Sequence, residues 1–217
     1  MSTICYATHC YVAFYIFQWI VWENRHTDDI GNDCLISVDG TDCPLINIFK
    51  SDGKPDKRYY SYKHKRAGLR YEIGLCIRSE IIVWIAGPYL PGEYNDLMIF
   101  RDGLRDMLDN GERVEADDGN LADCPDFCRC PGGLTSLRAQ RRMRGRLRMR
   151  HEAINQRMKT FKCLEHRFRH GIEKHSACFR AIAVVTQLGL NGGEGFMDMR
   201  ECDDRLTDAQ VETLFGL

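Results

Sequence analysis

Read for its alternation of apolar and polar positions, the chain divides into three strand-like runs, a helix, a short fourth strand, a loop and two helices. Residues 34–39 form a short apolar run, expected to end in a turn at Gly40-Thr41. Residues 41–67 read as a mainly polar connection. Residues 69–78 and 81–86 are rich in Ile, Leu, Tyr and Val, and the short link Ser79-Glu80 predicts an antiparallel hairpin between them. Gly87-Pro88 and Pro91-Gly92 break the chain. Leu97, Phe100, Leu104, Met107 and Leu108 then recur at helical spacing over 95–108, and Asn110-Gly111 ends that element. Residues 114–117 read as the fourth strand, and a loop rich in Cys, Pro and Gly follows over 120–136. A long helix is expected over 137–169, with Met143, Leu147, Ile154, Met158, Phe161 and Phe168 on one core-facing stripe. A last apolar helix is expected over 179–188. The tail from 189 to 217 is glycine-rich, then acidic, and reads as partly disordered.

This order predicts an α/β fold, an RNase H-like mixed sheet flanked by helices, in which the first and fourth strands lie side by side. Carboxylates at the ends of those two strands would then meet, and a third from the long helix would complete a site. The 217 residues suit one domain over 22–188, preceded by an uncertain apolar segment at 1–21. Residues 4–22 hold no Lys, Arg, Asp or Glu and are long enough to span a bilayer. They also hold His9, Gln18 and two cysteines, and no signal-peptide pattern, so no stable membrane partner is expected.

Charge sharpens this picture. The net charge of −1 conceals a basic segment, in which twelve Lys or Arg between Arg138 and His170 oppose only Glu152 and Glu165. The preceding stretch, from Asp102 to Asp126, is acidic. A basic segment beside clustered carboxylates suits a protein that attracts a polyanion and holds divalent cations, although two solvated faces of opposite sign would give the same composition. Eleven scattered cysteines do not form the paired framework of a small secreted domain and imply reduced thiols inside a cell.

Three acids carry the candidate chemistry. Asp39 stands in Val38-Asp39-Gly40-Thr41, Asp117 in Ala116-Asp117-Asp118-Gly119, and Glu152 on the long helix, with 34 residues between it and Asp117. Phosphodiester cleavage needs an activated oxygen nucleophile and a stabilised leaving oxygen, which a pair of Mg²⁺ ions supplies, and hard cations take oxygen ligands. Taken singly, an Asp before Gly is as readily a turn residue. On the helix Glu152 shares a side with Arg148, Asn155 and Lys159, either a ridge facing a cleft or a solvated face carrying an Arg148–Glu152 pair.

The stretches WENR (22–25), VDGTDCP (38–44), YYSYKHKRAGLRYEIGLCI (59–77), GPYLPGEYNDLMIFR (87–101), ADDGN (116–120) and RMRHEAINQRMKTFKCLEHRFRH (148–170) occur in this order. Together they resemble the DDE superfamily endonuclease domain of PIF/Harbinger-like transposases. The resemblance implies that Asp39, Asp117 and Glu152 are the catalytic acids, that they hold two Mg²⁺ or Mn²⁺ ions, and that the chain hydrolyses DNA phosphodiesters and transfers strands. Asp96 also matches a family position, but its place at a helix start, where an acid favours the dipole, gives it a structural or supporting role. DNA is the expected partner, with oligomerisation on DNA left open, and the location is nuclear in a eukaryotic cell and cytoplasmic otherwise. Two departures stand out. Asp118-Gly119-Asn120 replaces the family's usual basic or small residue followed by Gly-Tyr, which makes Asp118 a rival ligand. Too few residues precede the first strand for the helix-turn-helix region that such transposases carry upstream.

Arg142, Arg146, Arg148, Arg150 and Lys159 are the expected contacts to the DNA backbone, giving affinity without sequence preference. Residues 57–65 interleave Tyr with Arg and Lys and are compatible with stacking and phosphate contact, or with a simple edge strand. Cys124, Cys128 and Cys130, and further on Cys163, His166, His170, His175 and Cys178, lack the paired spacing of zinc sites and are expected to be structural. The other function to be weighed is a transposase-derived DNA-binding module that no longer cuts. A membrane-tethered protein anchored by residues 4–22 is the more distant one.

Overall fold

The computed structural model describes residues 20–26, 34–77, 79–116, 127–128 and 137–193. Among them run five strands, β1 (Cys34–Pro44), β2 (Tyr60–Ser61), β3 (Arg66–Cys76), β4 (Ile82–Tyr89) and β5 (Arg113–Glu115), and four α-helices, α1 (Asp96–Asp102), α2 (Leu137–Lys159), α3 (Lys162–Glu165) and α4 (Ile172–Asn191). The strands form one mixed sheet, so the fold is α/β. β1 lies between β3, antiparallel, and β5, parallel, and the far edge of β3 carries β2 and β4. The first strand and the short one ending near residue 116 are therefore neighbours, as the element order predicts, and β3–β4 is the expected hairpin.

Period-2 alternation divides the sheet between two cores. Cys43, Leu69, Tyr71, Ile73 and Leu75 pack beneath α2, α3 and α4, against Ile154, Met158, Leu164, Phe168, Phe179 and Ile182. On the other side Ile36, Val38, Cys76 and Val83 meet Phe100 of α1 and Leu104 of the 3-10 turn behind it. α1 starts where Asn95 caps it, its side chain accepting from the Met98 N–H at 2.8 Å.

Three boundary expectations are corrected. β1 does not turn at Gly40-Thr41 but continues to Pro44, because Gly40 and Thr41 pair with Glu72 and Tyr71 and the buried positions continue through Cys43 and Leu45. Gly40 serves a close approach instead, since a Cβ there would collide with Oδ1 of Asp96. The long helix ends at Lys159 rather than near 169. The Thr160 hydroxyl donates to the Arg157 carbonyl at 2.7 Å, and Phe161 adopts extended backbone. A β-branched and an aromatic residue in succession hold a helix poorly. Phe161 is accordingly exposed, whereas Phe168 returns to the sheet, donating its N–H to Pro44 and accepting from Ile46. The last helix begins earlier than expected, at Ile172.

A 3-10 turn, Trp22–Arg25, closes the layer over α1. Arg25 is buried, gives Glu112 two hydrogen bonds at 2.8 and 3.1 Å, reaches Asp109 at 2.8 Å, and lies 4.0 Å over the Trp22 ring. No helix among the described residues is long and apolar enough to cross a membrane, and the apolar segment before Ile20 lies outside them, as does the acidic tail from residue 194.

Candidate active site

The free edge of β1 locates the site. β5 pairs with β1 only up to Ser37, and the strand-like contact of Phe168 resumes at Pro44 and Ile46. Both use the same edge, because carbonyl and amide groups of even-numbered residues point away from β3. Between these covers the strand edge opens beneath α2 into a cleft of about 510 Å³. Asp39, Thr41 and Glu115 line it from the sheet, and Arg144, Arg148, His151, Glu152, Asn155 and Lys159 line it from α2. Lys63 and His64 close it from the turn between β2 and β3.

Asp39 sits in mid-strand, half-buried, on the face beneath α2. The Asn155 amide donates to its Oδ2 across a long 3.5 Å. Glu152 is exposed one turn earlier on the helix and faces the same cleft. Asp117 and its rival Asp118 lie outside the described residues, immediately after Ala116, which lines the cleft. Among the described residues no group of three His, Cys, Asp or Glu side chains is arranged to hold a metal ion. The donors present still suit a hard cation: two carboxylates and the Asn155 carbonyl oxygen, which is buried and has no hydrogen-bond partner among the described residues.

α2 is fixed to the strand beside these acids. His151, one residue before Glu152, is buried and shares a 3.0 Å hydrogen bond with Ser37, two residues before Asp39. Burial, reinforced by the neighbouring Arg150 charge, pushes the His151 pKa down to about 3, so the ring stays neutral and packs as a wedge. This pair sets the distance between the element carrying Glu152 and the one carrying Asp39.

A polar layer backs the strand and reaches the end of the cleft at Asp42. Arg70 holds Asp42 in a fork, at 2.7 and 3.0 Å, and approaches Asp96 at 3.4 Å. Burial opposes ionisation of Asp42, but the bonds from Arg70 and Ser61 outweigh it and hold the carboxyl below its usual range. Asp96 therefore packs on the back of Gly40 and ties α1 to the strand through Arg70, a supporting position rather than one in the cleft.

Glu72, paired in register with Gly40, is buried and accepts from the Trp84 indole at 2.8 Å. Burial raises its pKa to about 7, against the lowering effect of the Trp84 bond. The folded protein then holds a proton there that the unfolded chain has already lost. Its contribution to stability is complete below the unfolded value of 4.5 and disappears as pH rises through about 7. Glu72→Gln keeps an acceptor for Trp84 without the titration. It is expected to gain about 1–3 kcal/mol over the parent between pH 5 and pH 8. Urea unfolding at the two pH values checks this, and an identical pH slope in both proteins would contradict it.

The five expected DNA contacts separate. Arg148 and Lys159 line the cleft. Arg142 and Arg146 do not; at 100° per residue they project about 80° and 120° from Glu152, toward the flank opposite Asn155. Arg150 is corrected outright. It is 2% exposed and donates to the carbonyls of Ile77 at 2.8 Å and Ser79 at 2.5 Å, so it serves the end of β3 instead of a phosphate. The sequence held the signal, because Arg150 stands between Leu147 and Ile154 on the apolar stripe. Arg144, Glu115 and His64 were not singled out, and the first two form an ion pair at 3.6 Å. Of the zinc candidates, His175 is buried, hydrogen-bonded to the Tyr71 hydroxyl at 2.8 Å, and its pKa falls to about 4 through burial. Cys163 and Cys178 are thiols, and Cys124 and Cys130 lie outside the described residues.

No curated protein and no solved structure is found to match the chain. One family, described as DDE superfamily endonuclease, matches it over residues 38–187, a span that takes in most of β1, the cleft-lining helix and most of α4. That span is well over half of the molecule, and the chain therefore belongs to the DDE superfamily endonuclease family.

Proposed function

We propose that the chain is a metal-dependent DNA endonuclease of the transposase type, related to the PIF/Harbinger-like enzymes and built on an RNase H-like sheet. One observation carries the reading: Asp39 from β1 and Glu152 from α2 face a single cleft that Lys63, Arg144, Arg148 and Lys159 make basic. With Asp117, directly after Ala116, these residues would hold two Mg²⁺ or Mn²⁺ ions. Such ions, when bound, would supply an activated water and a stabilised leaving oxygen. The protein's own work is placement. Arg148 and Lys159 draw the phosphate backbone into the cleft, and the His151–Ser37 contact keeps α2 in register with β1. Water adds to phosphorus as the P–O3′ bond breaks, leaving a 5′ phosphate and a 3′ hydroxyl. In strand transfer that hydroxyl replaces water as the nucleophile.

Nicking of supercoiled plasmid in Mg²⁺, in Mn²⁺ and in EDTA tests this. Cleavage in either metal that EDTA abolishes is the expected result. Retained DNA binding with no cleavage in any metal would replace this reading by that of a binding module.

A further inference from the structure

Asn155 occupies the cleft in a way that positioning alone does not explain. It follows Glu152 by three residues on α2, so the two side chains rise from adjacent places on one helix face. Its Nδ2 reaches Asp39 Oδ2 only at 3.5 Å, at the limit of a useful hydrogen bond. Its Oδ1 is buried and accepts from nothing among the described residues. Buried polar oxygens are nearly always satisfied, and an orphan among carboxylates marks a place for an electropositive group that the protein does not itself provide. A neutral amide oxygen is a hard donor of the kind that divalent cations take alongside carboxylates.

We infer that Asn155 is a direct metal-binding residue of this site, contributing its Oδ1 beside Asp39 and Glu152. This rests on the endonuclease reading above. In the structure the amide presents its NH₂ to Asp39, where an oxygen would be repelled. Rotation about the terminal side-chain torsion, which is broad for Asn, exchanges the two ends once a cation lies between the amide and the carboxylates. The neutral donor also adds a ligand without setting a further negative charge beside Asp39 and Glu152.

Titration of the whole chain with Mn²⁺ alone, followed calorimetrically and by the Mn²⁺-induced change in melting temperature, tests the assignment. Asn155→Ala is expected to weaken Mn²⁺ binding about 10-fold or more. Asn155→Asp restores an oxygen donor and is expected to bind at least as tightly as the parent, with at least as large a melting shift. If Asn155 only donates to Asp39, the order reverses. Asn155→Asp would then be the worse variant, because it loses the N–H and sets a second carboxylate against Asp39. That order, or unchanged affinity in Asn155→Ala, overturns the inference while the endonuclease reading stands. Absence of saturable Mn²⁺ binding by the parent, or its persistence in Asp39→Asn, refutes the endonuclease reading and this inference with it. Metal-free melting of both Asn155 variants separates a folding defect from a lost ligand.

Discussion

Asp39→Asn is expected to reduce metal-dependent nicking by about three orders of magnitude or more while the protein stays folded. Cations at a phosphoryl centre contribute several kcal/mol to the transition state, and each 1.36 kcal/mol is a factor of ten in rate. Asp39 is half-buried at the mouth of a cleft, and Asn has the same shape, so the substitution opens no cavity. It removes one negative charge from a place where Glu152 also faces. The metal-free melting temperature should therefore be equal or higher. The rise produced by Mg²⁺ in the parent, which follows from ligand binding to the folded state alone, should disappear. Plasmid nicking and thermal melting on the same preparation provide the check. Metal-dependent nicking by this variant at the parental rate would remove Asp39 from the mechanism, and failure to fold would mark it as a structural residue of β1.

Arg150→Ala is expected to destabilise the chain by about 3 kcal/mol or more, since it leaves a cavity in the core and strips the carbonyls of buried Ile77 and half-buried Ser79 of their charged donor. Arg148→Ala, two residues away, should change stability by about 0.5 kcal/mol or less, because Arg148 is exposed. Their effects on DNA are expected to be the opposite. Arg148→Ala should weaken binding about equally across unrelated sequences and flatten its logarithmic salt dependence by roughly 0.9 per lost phosphate contact. Arg150→Ala protein that remains folded should keep the parental salt slope. Urea unfolding together with anisotropy titrations over a range of salt distinguishes the two roles. A flattened slope in folded Arg150→Ala would return that residue to the DNA interface.

These two arginines also show how far the sequence could be read. Charge counting treats every Arg from 138 to 150 alike, whereas burial depends on the angle around the helix. The stripe Met143, Leu147, Ile154 and Met158 sets that angle, and Arg150 lies within it. The ridge of Arg148, Glu152, Asn155 and Lys159 was legible because the same periodicity places all four on one face, and all four line the cleft. Adjacency of β1 and β5 was legible from the order of elements. The length of β1 was not, since Gly40-Thr41 carries the composition of a turn, and only Asp96, far along the chain, shows why a glycine stands in mid-strand. The end of α2 was missed for the converse reason. Phe161 and Phe168 continue the helical spacing by coincidence, and a local bond from Thr160 decides the matter. Buried pairs such as Tyr71–His175 join residues about a hundred positions apart and leave no local trace.

The Arg25–Glu112 contact bears on where this module can be cut from a longer polypeptide or grafted onto another. The family's shared span opens at Val38, yet Glu112, well inside it, is neutralised by a cation supplied from outside it. A fragment starting at residue 38 would lose Cys34–Ser37, the part of β1 that pairs with β5, and would also bury Glu112 without Arg25, the second loss alone on the order of 3–5 kcal/mol. The excisable unit is thus wider than the recognisable one, and recombination breakpoints in the gene should be tolerated upstream of Trp22 and selected against between Arg25 and Cys34.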